Sequence, residues 1–128
     1  SVFRRHGASQ PLTVGVGRAS SLSLTRDLGL DLYQMHWYES VDSIQTLAEP
    51  VASRALDRPL LLGEFPTVGA SVTPERILQI AEGAGYSGAL AWSLLADDTS
   101  TNGGACETAL AWASTQWGSG SASTVGLA

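Results

Sequence analysis

Glu64 closes the run Arg58-Pro59-Leu60-Leu61-Leu62-Gly63-Glu64-Phe65-Pro66, a short apolar strand that leads straight into a carboxylate and is stopped by a proline. An ordinary strand end carries a turn residue rather than a charge pressed against three leucines. In a parallel α/β sheet this position is the carboxyl end of the strand, where such folds place their chemistry. A carboxylate held there can act as a nucleophile or stabilise positive charge. About thirty residues upstream lies Leu32-Tyr33-Gln34-Met35-His36-Trp37-Tyr38-Glu39, and about thirty downstream lies Ala89-Leu90-Ala91-Trp92-Ser93-Leu94. Three strands thus end in polar or aromatic groups at one regular interval. Tyr38 has a hydroxyl to donate to Glu64, and His36 can bind the same carboxylate or a ligand hydroxyl.

These groups are positioned by a chain that reads as four repeats of strand then helix. The strands are placed at Leu12 to Val16, Leu32 to Tyr38, Leu60 to Glu64 and Ala89 to Leu94. A short helical stretch around Leu22 to Leu28, ended by Gly29, follows the first. Asp42 is the expected N-cap of the second helix, which runs through Ile44, Leu47, Val51 and Ala55, with Pro50 kinking or dividing it. Thr73, Pro74 and Glu75 form a helix start, Ile77, Ala81 and Ala84 form its buried stripe, and Gly85 ends it. A last helix is expected around Glu107 to Trp117, and residues 118–128, mostly Gly, Ser and small side chains, read as a flexible tail. Strand–helix alternation argues for a parallel four-stranded sheet with right-handed crossovers and helices on one face. That makes residues 1–117 a (βα)4 domain, half of an eight-stranded barrel. Ser1 to His6 reads as the end of a preceding helix. Alone, such a half exposes two strand edges and one sheet face with inward side chains expected to include Gln34, Leu62 and Leu90. Pairing of two copies, first strand against fourth, is therefore expected to complete the barrel.

The second, third and fourth strands resemble strands six, seven and eight of the retaining β-glycosidase superfamily that includes cellulases and β-mannanases. Gly63-Glu64-Phe65 matches the context of that family's nucleophile, His36-Trp37-Tyr38 matches the His-x-Tyr that ends strand six, and Trp92 matches the tryptophan at the floor of the sugar subsite. The resemblance covers residues 12 to 115 but only half of the family's fold. It implies Glu64 as nucleophile, with His36, Tyr38 and Trp92 binding a β-linked oligosaccharide, and no cofactor or metal. The family's acid/base is a glutamate after asparagine on strand four, and the only asparagine here is Asn102. Retaining hydrolysis needs two carboxyl groups about 5–5.5 Å apart, so low or no hydrolysis is expected from this chain. In a homodimer the two copies of Glu64 would face each other at a larger separation, in equivalent environments that cannot be tuned to opposite acid and base roles.

Other readings stay open. Glu64 can be a salt-bridged strand end, and His36 and Tyr38 a polar pair closing the sheet's mouth. Trp37, Trp92, Trp112 and Trp117 can all be core. A non-catalytic half-barrel for sugar binding or assembly fits the same residues. Val14-Gly15-Val16-Gly17-Arg18-Ala19-Ser20, with Glu39 ending the next strand, has the layout of a dinucleotide fingerprint, but Ser20 stands at the third glycine. Asp97-Asp98 reads as a solvated loop pair rather than a cation site, and His6 and Cys106 have no evident partners. The net charge of −5, with seven scattered arginines as the only strong bases, argues against nucleic acid and anionic membranes as partners. A single cysteine excludes an intrachain disulfide, and no signal-peptide pattern opens the chain, so a cytoplasmic setting is the default expectation.

Overall fold

The computed structural model describes residues 5–7, 9–93, 99–101, 104, 105, 107, 108, 111, 114, 115 and 125–127. Four parallel strands, β1 (Gly15–Val16), β2 (Tyr33–His36), β3 (Leu60–Pro66) and β4 (Ala89–Trp92), lie side by side in chain order. A 3-10 helix, Ala19–Leu28, comes after β1 and ends at Gly29, whose φ of 68° is the left-handed conformation glycine tolerates. After β2 come α1 (Ile44–Ala48) and a 3-10 turn, Val51–Arg54. Helix α2 (Pro74–Ala84) comes after β3, and the described residues between 104 and 115 are helical. This is an α/β chain with a four-strand parallel sheet, consistent with half of a barrel. Among the described residues, no helix is long and apolar enough to cross a membrane.

Several boundaries differ from the sequence expectation for local reasons. β1 is shorter than expected: Leu12 lies outside it, its N–H donating to the Asp31 carboxylate at 2.7 Å and its carbonyl accepting from the Asp31 N–H at 2.9 Å. The cap of α1 is Ser43 rather than Asp42, with the Ser43 hydroxyl accepting from the Thr46 N–H at 3.3 Å. Asp42 instead accepts from the Ala19 N–H at 2.9 Å, anchoring the start of the 3-10 helix. Pro50 divides α1 from the 3-10 turn, having no N–H to continue the ladder. α2 keeps its expected signals: Thr73 caps it, worth about 1 kcal/mol, and Gly85 closes it at φ 88° with its N–H on the Ala81 and Glu82 carbonyls.

The core lies between the sheet and the helices. Met35, Leu60, Leu62, Phe65 and Ala89 meet Leu47, Ile77 and Leu78, all of them fully buried, and each large side chain contributes about 1.5–3 kcal/mol by leaving water. Trp37 is fully buried too, its indole N–H donating to the Ser43 carbonyl at 3.2 Å, and so belongs to the core. Leu62, expected on the opposite face, is also part of this core, because it pairs with Met35 and Ala89 in register. Leu61 and Leu90 are the leucines on the face away from the helices, and both are half-buried.

A fifth strand, β5 (Val125–Leu127), runs parallel to β4, with Ala89 opposite Val125 and Ala91 opposite Leu127. It falls inside the 118–128 stretch read as tail, and it takes the edge of β4 expected to be open. Three residues between Gly, Ser and Ala offer no periodicity from which a strand is legible.

Candidate functional site

The carboxylate reaches the sheet's open face through a β-bulge. Met35 sits opposite Leu62 but His36 sits opposite Glu64, so β3 carries one extra residue, Gly63. The β4 side agrees: Leu62 is opposite Ala89, yet Phe65 is opposite Ala91. Strict alternation would send Glu64 the same way as Leu60 and Leu62, into the helices, at the heavy cost of burying a charge. The bulge resets the parity, so Glu64 joins Gln34 and His36 while Phe65 returns to the core. With Gln34 where it stands, the extra position has room only for glycine. A Cβ on Gly63 would stand 2.1 Å from the Gln34 side-chain nitrogen.

Three of the four expected site residues meet. Tyr38 donates its hydroxyl to Glu64 Oε2 at 3.2 Å, and His36 Nδ1 lies 3.2 Å from the same oxygen. His36 and Glu64 are 21% and 22% exposed, so the pair is reachable from solvent yet held. Both side chains converge on Oε2, and among the described residues no bond to Oε1 is present. Chemically, this is an oriented carboxylate with one oxygen anchored and the other without a hydrogen bond among the described residues.

Trp92 is placed by register. It ends β4 opposite Pro66, just past Glu64, half-buried on the face shared with Leu90. Its carbonyl accepts from the Thr101 hydroxyl at 3.3 Å, and the Trp92–Ser93 peptide is cis.

Next to Tyr38, a cavity of about 330 Å³ opens among the segments after β2, β3 and β4, lined by Tyr38, Glu39, Pro66, Val68, Gly69 and Thr99 among others. Glu39 forms its clasp. The carboxylate accepts from the Ser71 hydroxyl at 2.5 Å and the Ser71 N–H at 2.6 Å, and these two bonds, the hydroxyl first, hold the Glu39 carboxyl below the usual glutamate range. Glu39 is thus engaged with Ser71, and Asp42, three residues on, with the Ala19 N–H.

The glycine-loop alternative finds little support in the geometry. Gly15 packs against the histidine, since a Cβ there would come within 2.6 Å of His36 Nε2. The helix after β1 is of the 3-10 type, and its N-cap, Arg18, makes no side-chain cap bond. Glu39 binds Ser71. Among the described residues, no group of three His, Cys, Asp or Glu side chains is placed to hold a metal. Asp97, Asp98, Leu94, Cys106, Trp112 and Trp117 lie outside the described residues.

Comparison with known protein families, curated proteins and solved structures found no match. Sequence reasoning missed the bulge at Gly63, the contact of Gln34 with His36 and the Glu39–Ser71 clasp. The first had a signal, a glycine set between an apolar run and a charge; the second stems from period two along β2. The clasp joins residues far apart in sequence and leaves no local trace.

Proposed function

We propose that this chain carries the nucleophile-side half of a retaining β-glycosidase site, with Glu64 as the nucleophilic carboxylate, Tyr38 and His36 holding it, and Trp92 as the platform for a pyranose ring. The observation that carries the reading is the convergence of Tyr38 and His36 on Oε2, which leaves Oε1 to attack an anomeric carbon. In that step the Oε1–C1 bond forms and the C1–O bond to the leaving group breaks, its electron pair departing with the leaving oxygen. An aryl leaving group of low basicity needs no proton, whereas a sugar leaving group does. The two described carboxylates nearest Tyr38 in the chain, Glu39 and Asp42, are engaged with Ser71 and Ala19. Hydrolysis of natural β-linked sugars is therefore expected to be low or nil. The same commitment favours a second reading, a half-barrel that binds β-linked oligosaccharides without cleaving them.

The partner this reading calls for is a second copy, completing an eight-stranded barrel about a two-fold axis and covering the face that bears Leu61, Leu90 and Trp92. Edge pairing of β1 with β4 of the partner requires β5 to leave the β4 edge. Sedimentation of the full chain beside one ended at residue 117 tests this: the shortened chain should dimerise more readily, and a monomer in both cases at micromolar concentration would exclude the barrel pairing. Binding of β-linked oligosaccharides, with aryl β-glycoside turnover measured alongside, tests the site. Weak saturable binding lost in Trp92→Ala, with any slow aryl turnover lost in Glu64→Gln, supports it. Binding of a dinucleotide with none of sugar would overturn it.

A further inference from the structure

Gln34 and His36 lie on one face of β2, two residues apart, and the amide nitrogen of Gln34 is 3.5 Å from His36 Nε2. The Gln34 side chain is confined to a slot between the neighbouring strands. On the β3 side, a Cβ at Gly63 would fall 2.1 to 2.4 Å from its Nε2, Cγ and Cδ; on the β1 side, a Cβ at Gly15 would be 3.4 Å from the Gln34 nitrogen and 2.6 Å from His36 Nε2. Two glycines on the two flanking strands thus clear the space that Gln34 and His36 fill. A glutamine occupying such a slot has few rotamers open to it.

The chemistry of imidazole makes this confinement consequential. A neutral ring has one donor and one acceptor nitrogen. Nδ1 faces the Glu64 carboxylate at 3.2 Å, and an acceptor-only carboxylate needs a donor there. Nε2 is then the acceptor and needs an N–H, which the Gln34 amide supplies and an apolar or acidic side chain does not. We propose that Gln34 is a positioning residue that fixes His36 as the Nδ1–H tautomer, so that His36 donates to Glu64 Oε2 in company with Tyr38. In effect it acts through the histidine to direct which carboxylate oxygen is anchored and which is left to react. The functional meaning rests on Glu64 being the nucleophile, but the tautomer itself does not.

The test reads the histidine and not turnover, so it separates from the sugar chemistry. The chain has two histidines, and His6→Gln leaves the imidazole signals of His36 alone in a side-chain ¹H–¹⁵N correlation spectrum. With the ring neutral, the background protein should show Nδ1–H. Glu64→Ala should keep Nδ1–H, because Gln34 still donates to Nε2. Glu64→Ala with Gln34→Met, which keeps side-chain volume and removes the donor, should revert to the Nε2–H form that free histidine favours. Reversion in Glu64→Ala alone would overturn the proposal, as would a ring protonated on both nitrogens well above neutral pH, which would place the Gln34 carbonyl against Nε2. Loss of the amide-proton dispersion of folded protein in the double variant would leave the readout with Glu64→Ala alone, where a retained Nδ1–H line supports the role of Gln34 and reversion to Nε2–H overturns it.

Discussion

The two faces of the sheet obey different rules. Toward the helices, β2, β3 and β4 present Met35, Leu60, Leu62, Phe65 and Ala89 with no exposure at all. Toward the other side, the same strands present Gln34, His36, Leu61, Glu64, Leu90 and Trp92, each half-buried. The first face is held by shape and exclusion of water. The second is held by a short chain of polar contacts, Gln34 to His36 to Glu64 to Tyr38, in a slot cleared by Gly15 and Gly63. Apolar packing resides in one face and the polar cluster in the other, and one extra residue in β3 separates them.

Neighbouring substitutions in β3 should split this contrast. Leu62→Ala opens a cavity in the packed face and should cost about 2–5 kcal/mol, while Leu61→Ala, one residue earlier on the open face, should cost within about 1 kcal/mol. Denaturant unfolding of the two variants decides it, and equal losses would mean that the two faces are packed alike. Gly63→Ala comes next. Its Cβ meets the flexible Gln34 side chain rather than backbone, so the glutamine can swing out and the cost should be about 1–3 kcal/mol, in the range of overpacking. Its diagnostic effect is on the site: the Gln34–His36 contact is lost, and the His36 imidazole signals should shift while those of α2 do not.

The smallest effect concerns the clasp. Glu39 is exposed and its carboxyl is lowered by the Ser71 bonds. A depressed carboxyl contributes stability above its unfolded value, and that contribution is lost as pH falls through the folded value. The Ser71 amide proton should therefore stay hydrogen-bonded into acid and move only below the usual glutamate range. Glu39→Gln should flatten that titration. A midpoint at the ordinary value would show the clasp to be open in solution.

The repeat of strand and helix was legible because each signal was local: the Thr73-Pro74 start and Gly85 stop of α2, the apolar run of β3, the proline that splits the second helical stretch. The meeting of Glu64, His36 and Tyr38 was legible for the same reason, as polar groups at the ends of apolar runs. Leu62 was misplaced because counting alternate residues assumes an unbroken pleat, and nothing short of the register between Met35, Leu62 and Ala89 reveals which leucine of Leu60-Leu61-Leu62 faces the helices. Asp42 and Ser43 competed for one cap, and the loser found Ala19. Strand β5 and the Glu39–Ser71 clasp depend on partners distant along the chain, which no local pattern encodes.

Whether the free oxygen of Glu64 can attack a sugar is open to a single mass measurement. The protein is incubated with a 2-deoxy-2-fluoro-β-glycoside carrying a dinitrophenyl leaving group, which departs without a proton donor, and is then weighed intact and as peptides. The arrangement of Tyr38 and His36 on Oε2 predicts one fluorosugar esterified to the peptide that contains Glu64, and none in Glu64→Gln. No adduct on that peptide across glucosyl and mannosyl reagents, or an equal adduct in Glu64→Gln, would contradict a nucleophilic Glu64.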